Sequence, residues 1–353
     1  MKRKTNYELL RIVAMLMIIA LHYLDKGGIL PKLNTGFNGM GYLAWLLEAF
    51  CLMSVNVYVL LSGYFGVESR GRIQKAATLW GQVFFYSIGI ALAAALTGIL
   101  PAKELSVYQW FGYLFPIVTE HYWFATSYLF LFFLMPFLNA GVKKLEKKQL
   151  RGILAGLLLF TCIAKTVIPM QLPTDHQGYE VLWFIIVYLV GAYLREYGRQ
   201  PSLTESVLTF CLSGTALSGI TMALRFVWMK TGSLENFMGY AYSYNYLFCL
   251  TGAVGLFRMF GHIHVQREKW AKWICTLSGC TFGVYLIHEH MALRYLWPTW
   301  FHTEKMVGSI WFLPHMLLTV LVVFALCGAI EYLRKRIFAF AAFKYNEKRN
   351  KTL

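Results

Sequence analysis

The stretch YELLRIVAMLMIIALHYLD (7–25) decides how the chain is read. It is an apolar run long enough for a membrane-crossing helix. It carries one permanent base, Arg11, near its start and one histidine, His22, near its end. Eleven positions of α-helix give roughly 16 Å of rise and about three turns plus 20°. The two side chains are therefore expected on nearly the same face, separated by about half of a ~30 Å hydrocarbon core. Glu8, three residues before Arg11, is placed to steady it through an i, i+3 ion pair. A helix needing only an anchor has no use for an aligned histidine. One that receives a ligand from one side to react near the other has.

The rest of the chain agrees with a membrane setting. The 353 residues are 58% hydrophobic and only 14% charged, with a mean hydropathy of +0.51. A soluble domain carries about 25% charged residues, so the reading is a polytopic membrane protein. The net charge of +16 does not point to nucleic acid, because the basic residues sit between apolar runs and not on one amphipathic face. The seven cysteines (51, 162, 211, 249, 275, 280 and 327) lie almost all within apolar runs and read as small buried hydrophobes. No disulfide framework is implied. No segment clusters His, Cys or Asp at ligand spacing, so no metal site and no bound cofactor are expected. The N-terminal MKRK followed by an apolar run has the outline of a signal peptide. Glu8 and Arg11 interrupt that run and ALHYLD is a poor cleavage site, so it reads as a retained first span.

Windows of about 20 apolar residues predict ten spans: 7–25, 42–65, 76–100, 121–140, 152–170, 181–198, 204–228, 241–261, 274–297 and 309–333. Pro101, Pro116, Pro173 and Pro298 fall in connecting segments, where helix breakers belong. With the N-terminus inside, the inner segments and the 334–353 tail hold 24 basic residues and the outer loops 5 (Lys26, Lys32, Lys103, Lys230 and Lys305). That asymmetry satisfies the positive-inside rule at every loop. The expected fold class is an all-α polytopic membrane protein with about ten transmembrane helices and both termini cytoplasmic. Residues 1–353 form a single membrane domain, with neither an internal repeat nor a low-complexity linker.

Ionisable residues inside a bilayer are functional candidates by default. Arg225 and Lys165 lie near span ends and read as snorkelling side chains. Glu48 and Glu289 stand out, because acidic side chains are too short to snorkel far. Arg294, five positions beyond Glu289, is a loose partner for it. Tyr285 and His288 share one face of the ninth span at i, i+3. His262 and His264 are assigned nothing.

Four stretches then resemble one family, in the right order. Arg11 and His22 match an R-x10-H signature. NVYVLLSGYFGVESRGRIQKAATLW (56–80) resembles a second-span ending with a serine-glycine turn and a basic cytoplasmic loop. HYWFATSYLFLFFLMPFLN (121–139) and SGCTFGVYLIHEH (278–290) resemble a fourth-span entry and a late FGxYLxH span. Together they resemble the acyltransferase-3 family of integral-membrane acyltransferases, in its stand-alone type and with the flavour of exopolysaccharide or capsule acetyltransferases. The resemblance implies transfer of an acyl group, usually acetyl from acetyl-coenzyme A, to a hydroxyl of an extracytoplasmic saccharide or lipid-linked glycan, in the plasma or inner membrane.

On this reading Arg11 pairs with phosphate or pantetheine oxygens of acyl-coenzyme A. His22 is general base on the acceptor hydroxyl or becomes an acyl-imidazole. Ser62 is placed to orient the acyl group, and Arg70, Arg72 and Lys75 to clasp the nucleotide phosphates. His121 and Trp123 would share a depth with His22. Tyr285 and His288 are expected to line the site, with Glu289 orienting an imidazole. The alternative is a proton-coupled secondary transporter of a small amino acid or sugar intermediate, built on Glu48, Arg225 and Glu289. The paired broken helices usual in transporters are not visible in the sequence.

Overall fold

The protein is described here from a computed structural model covering residues 4–69, 73–100, 106–168 and 175–352. Among these residues every regular element is helical. The helices are α1 (Thr5–Asp25), α2 (Gly39–Gly66), α3 (Ile73–Leu96), α4 (Val107–Leu114), α5 (Trp123–Lys144), α6 (Lys147–Leu158) and α7 (Ala164–Val167). They continue with α8 (Val181–Tyr197), α9 (Leu203–Thr231), α10 (Leu247–Phe260), α11 (Glu268–Ser278), α12 (Thr281–His288), α13 (Leu296–Trp300) and α14 (Phe312–Thr352). A single π-turn, Leu159–Ile163, joins α6 to α7.

Seven of the described helices are long and apolar enough to cross a membrane: α1, α2, α3, α5, the α6–α7 unit, α9 and α14. Of the ten expected spans, three take another form. Segment 181–198 is the 17-residue α8. Segment 241–261 begins as an irregular stretch and becomes helical only at Leu247. Segment 274–297 breaks into α11, α12 and a following turn. The physical reason is that irregular backbone is tolerated inside a bundle where protein groups satisfy it. Tyr244 N–H donates to Gln177 O (2.9 Å), and Tyr244 O accepts from Asn56 Nδ2 (2.8 Å). Hydropathy counts apolar residues and is blind to such partners. α11 is amphipathic and presents Trp270 and Trp273 together with Lys269 and Lys272 on its exposed side. That is the pattern of a helix lying in a membrane interface.

α1 and α2 form the centre. Their apolar windows are 61% and 67% buried, against 28% for α3 and α9, so these two helices lie innermost in the bundle. α2 packs closely on α8 and α1, and α9 on α10. Asn56, fully buried in α2, also accepts from Trp183 Nε1 of α8 (2.9 Å). Ser62 and Gly63 do not end the second span. The helix runs on to Gly66, and Gly63 is a packing residue: a Cβ there would lie 2.0 Å from Tyr188 O of α8. Gly191 faces back across the same contact, where a Cβ would lie 2.4 Å from Leu60 O. Small residues let membrane helices approach backbone to backbone.

Arg225 and Lys165 do not snorkel. Both are buried and both are spent on loops. Arg225 donates to Leu33 O (3.1 Å), Thr35 O (2.8 Å) and Tyr42 Oη (3.1 Å). Lys165 pairs with Asp175 (2.7 Å) and donates to Asn245 Oδ1 (2.8 Å).

Replacing Gly63 by valine forces α2 and α8 apart. The expected cost is about 1–3 kcal/mol, seen as a lower unfolding midpoint in detergent, whereas Gly89→Val, at a position with nothing within 4 Å of a Cβ, changes it little.

Candidate active site

Positions 8, 11, 15, 18 and 22 of α1 recur at three and four residues, the spacing of one helical face. Glu8, Arg11, Met15, Ile18 and His22 all line a single cavity of about 460 Å3. Fourteen residues of helix span roughly 21 Å, so this volume forms a slender channel along α1. Arg11 stands at one end and His22 at the other. The facing wall comes from Tyr58 and Ser62 of α2, Trp123, Phe124 and Tyr128 of α5, Tyr244, Ser278 at the end of α11 and Tyr285 of α12.

At the Arg11 end, Arg11 lies 3.9 Å from Glu8 and keeps 27% of its side chain exposed. Glu8 takes the Ser278 hydroxyl as its nearer partner. The loose ion pair leaves guanidinium N–H groups available to an anion. Midway, Tyr58 Oη donates to the Arg11 carbonyl (2.6 Å), and Ser62 Oγ lies 2.9 Å from Tyr58 O and 3.1 Å from Tyr128 Oη. Together they give the channel a polar band in mid-bundle.

At the other end, His22 Nδ1 is 3.0 Å from His288 Nε2 and 3.5 Å from Glu289 Oε1. Glu289 forms an ion pair with Lys26 and not with Arg294. Lys26 follows His22 by four residues and so extends the polar stripe of α1 by one more turn. That i+4 spacing was available in the sequence, where Lys26 read only as an outer-loop charge. Tyr58, Tyr128 and Tyr244 were also not singled out, since an aromatic in an apolar run has no signature until its neighbours are known.

The turn that presents His288 and Glu289 is held from several sides. Tyr122 Oη donates to Leu286 O (2.9 Å). His290 accepts from Ala292 N–H at Nδ1 (3.1 Å), so its Nε2 carries the proton and donates to Ser87 O (3.0 Å). His121 Nε2 accepts from Met291 N–H (3.3 Å), and the His121 and His290 rings lie 4.9 Å apart. His121 thus braces the turn behind the site and does not itself line the channel. Behind α12, buried Glu331 of α14 accepts from Tyr86 Oη (2.6 Å) and from Arg334 at 2.7 and 2.8 Å, against Gly283. Lys75 is exposed at the start of α3 and is not among the residues that line the channel, and Arg70 and Arg72 lie outside the described residues.

A family model described as "Acyltransferase domain" matches residues 4–339, which is nearly the whole chain and includes every residue of the channel. The chain belongs to the acyltransferase-3 family. It is therefore a multi-pass membrane acyltransferase. No curated protein and no solved structure gives a significant match to it.

Removing one partner of the buried Lys26–Glu289 pair leaves an uncompensated charge, which costs about 3–5 kcal/mol. Lys26→Met is expected to lower thermal stability in detergent strongly, and Lys26→Met with Glu289→Leu to recover most of the loss. A double-mutant cycle on the unfolding midpoints measures the coupling.

Proposed function

We propose that this acyltransferase moves an acetyl group from cytoplasmic acetyl-coenzyme A to a hydroxyl of an extracytoplasmic cell-surface glycan. In this reading the chain crosses the plasma or inner membrane ten times, with both termini cytoplasmic, and α8, the 241–261 segment and the α11–α12 segment supply the three crossings beyond the long helices. The observation that carries it is the channel along α1. It joins a partly exposed arginine to a buried histidine through a slender space suited to an extended pantetheine arm. Acyl thioester is made in the cytoplasm and the glycan is outside, so the reaction must be bridged through the bundle.

Arg11 binds phosphate or pantetheine oxygens at the inner mouth, where bidentate recognition favours arginine over lysine. Arg70, Arg72 and Lys75 supply further positive charge to the nucleotide phosphates. The thioester then lies near His22, with Ser62, Trp123 and Tyr285 along the channel walls. His22 acts as general base: it takes the proton of the acceptor hydroxyl as that oxygen attacks the acetyl carbonyl. The C–S bond breaks, and the departing thiolate takes the proton back to leave free coenzyme A. Glu289, 3.5 Å from Nδ1, stabilises the imidazolium formed in between. The acceptor proposed is an exopolysaccharide- or capsule-type glycan, a reading supported by the flavour of segments 56–80 and 121–139.

The purified protein in detergent is expected to release coenzyme A from acetyl-coenzyme A. His22→Ala lowers kcat at least about 100-fold. Arg11→Leu raises KM for acetyl-coenzyme A about 10-fold or more, as loss of a charge-assisted contact implies. A protein that is inert to the thioester but concentrates a solute in vesicles overturns the assignment. The mass of surface polysaccharide from a deletion strain, lower by acetyl groups than that of its parent, identifies the acceptor.

A further inference from the structure

The hydrogen bonds around His22 carry information about which of its nitrogens reacts. His288 Nδ1 lies 2.6 Å from Val284 O, one turn back in α12. A carbonyl oxygen has no proton to give, so His288 Nδ1 must carry one and donate it. His288 Nε2 faces His22 Nδ1 at 3.0 Å. Two neutral imidazoles in contact need one donor and one acceptor. With its proton committed at Nδ1, His288 can only accept at Nε2, and His22 can only donate from Nδ1. A cationic His288 would reverse the roles, yet the nearby carboxylate of Glu289 is already engaged by Lys26. A second buried cation there would have no counter-charge.

We infer that His288 is a positioning residue, which holds His22 in the Nδ1–H tautomer and so makes Nε2 of His22 the reacting atom. The order is Val284 O, His288, His22: a backbone carbonyl fixes one ring and that ring fixes the next. In a serine-protease triad a carboxylate orients the histidine. Here a neutral imidazole does so, and the carboxylate of Glu289 stands beside the same Nδ1 at 3.5 Å. The arrangement also fixes the ring planes, 44° apart with centroids 5.2 Å apart. His22 can then turn over only by breaking its bond to His288. Because α12 is pinned by Tyr122, His290 and Glu331, the acceptor atom at Nε2 of His288 is held by the fold and not by a mobile loop.

This inference rests on the acyl-transfer reading for the use of the Nε2 lone pair, but not for its existence. Two measurements separate them. Protein labelled with 15N-histidine, with signals assigned by their loss in His22→Gln and His288→Gln samples, reports each ring's protonated nitrogen directly. The expected spectrum shows both rings neutral, each with its proton on Nδ1. An Nε2–H form of His22, or a doubly protonated His288, overturns the inference. Kinetics supply the second test. His288→Gln offers a carbonyl oxygen in place of the imidazole acceptor and is expected to keep kcat within about 10-fold. His288→Leu offers none, and its kcat is expected to fall about 100-fold or more while KM for acetyl-coenzyme A stays within about twofold. A His288→Leu protein that folds and retains kcat overturns the positioning role. A wild-type protein with the expected spectrum and no thioester turnover overturns the acyl-transfer reading and leaves the tautomer standing.

Discussion

A polar channel can run through an apolar bundle only if each polar group along it finds a partner inside the protein, because hydrocarbon offers none. That constraint organises the structure around α1. Its lining stripe is polar at Glu8, Arg11 and His22, and each of these is met by a specific element: Ser278 for Glu8, Tyr58 for the Arg11 backbone, His288 for His22. The elements that supply these partners are the ones that depart from simple membrane helices. α11 and α12 are broken at Gly279 and Cys280 because an unbroken helix there would not set Ser278 beside Glu8 and His288 beside His22 at once. The ten residue steps from 278 to 288 must cover the fourteen steps from 8 to 22.

The same requirement explains how rigid the His22 end is. Just past α12 the amides of Met291 and Ala292 bond to histidine rings in place of helical carbonyls. His290 uses both ring nitrogens on backbone groups, donating to Ser87 O and accepting from Ala292 N–H, and His121 accepts from Met291 N–H. Aromatic rings with a hydrogen-bonding edge suit this role, since they fill apolar space while satisfying a peptide group. Glu331 does the equivalent on the far side of α12, spending a buried carboxylate on Tyr86 and Arg334 so that α3 and α14 clasp the short helix between them.

Much of this was legible in the chain itself. The membrane class follows from composition, because 14% charged residues cannot cover a soluble surface of this size. The alignment of Arg11 with His22 follows from the pitch of an α-helix, a local property that needs no tertiary information. The R-x10-H, FGxYLxH and neighbouring stretches pointed to the family that the chain belongs to. At Ser62–Gly63, where the helix runs on past the expected turn, and in the three segments that take shorter or broken forms, the deciding contacts join residues far apart in sequence. Gly63 is a packing glycine because of Tyr188, and no local pattern distinguishes that from a helix end.

What the sequence alone determined, then, is the medium, the family and one polar stripe, all set by composition or by the period of a single helix. Tertiary structure decided the stripe's partners. Glu289 was expected near Arg294 by proximity in the chain and is paired with Lys26 by packing. Arg225 and Lys165 were expected to reach for water and instead hold loops. Burial makes partners compulsory, and which partner arrives is settled only when helices remote in sequence are brought to within a hydrogen bond of one another.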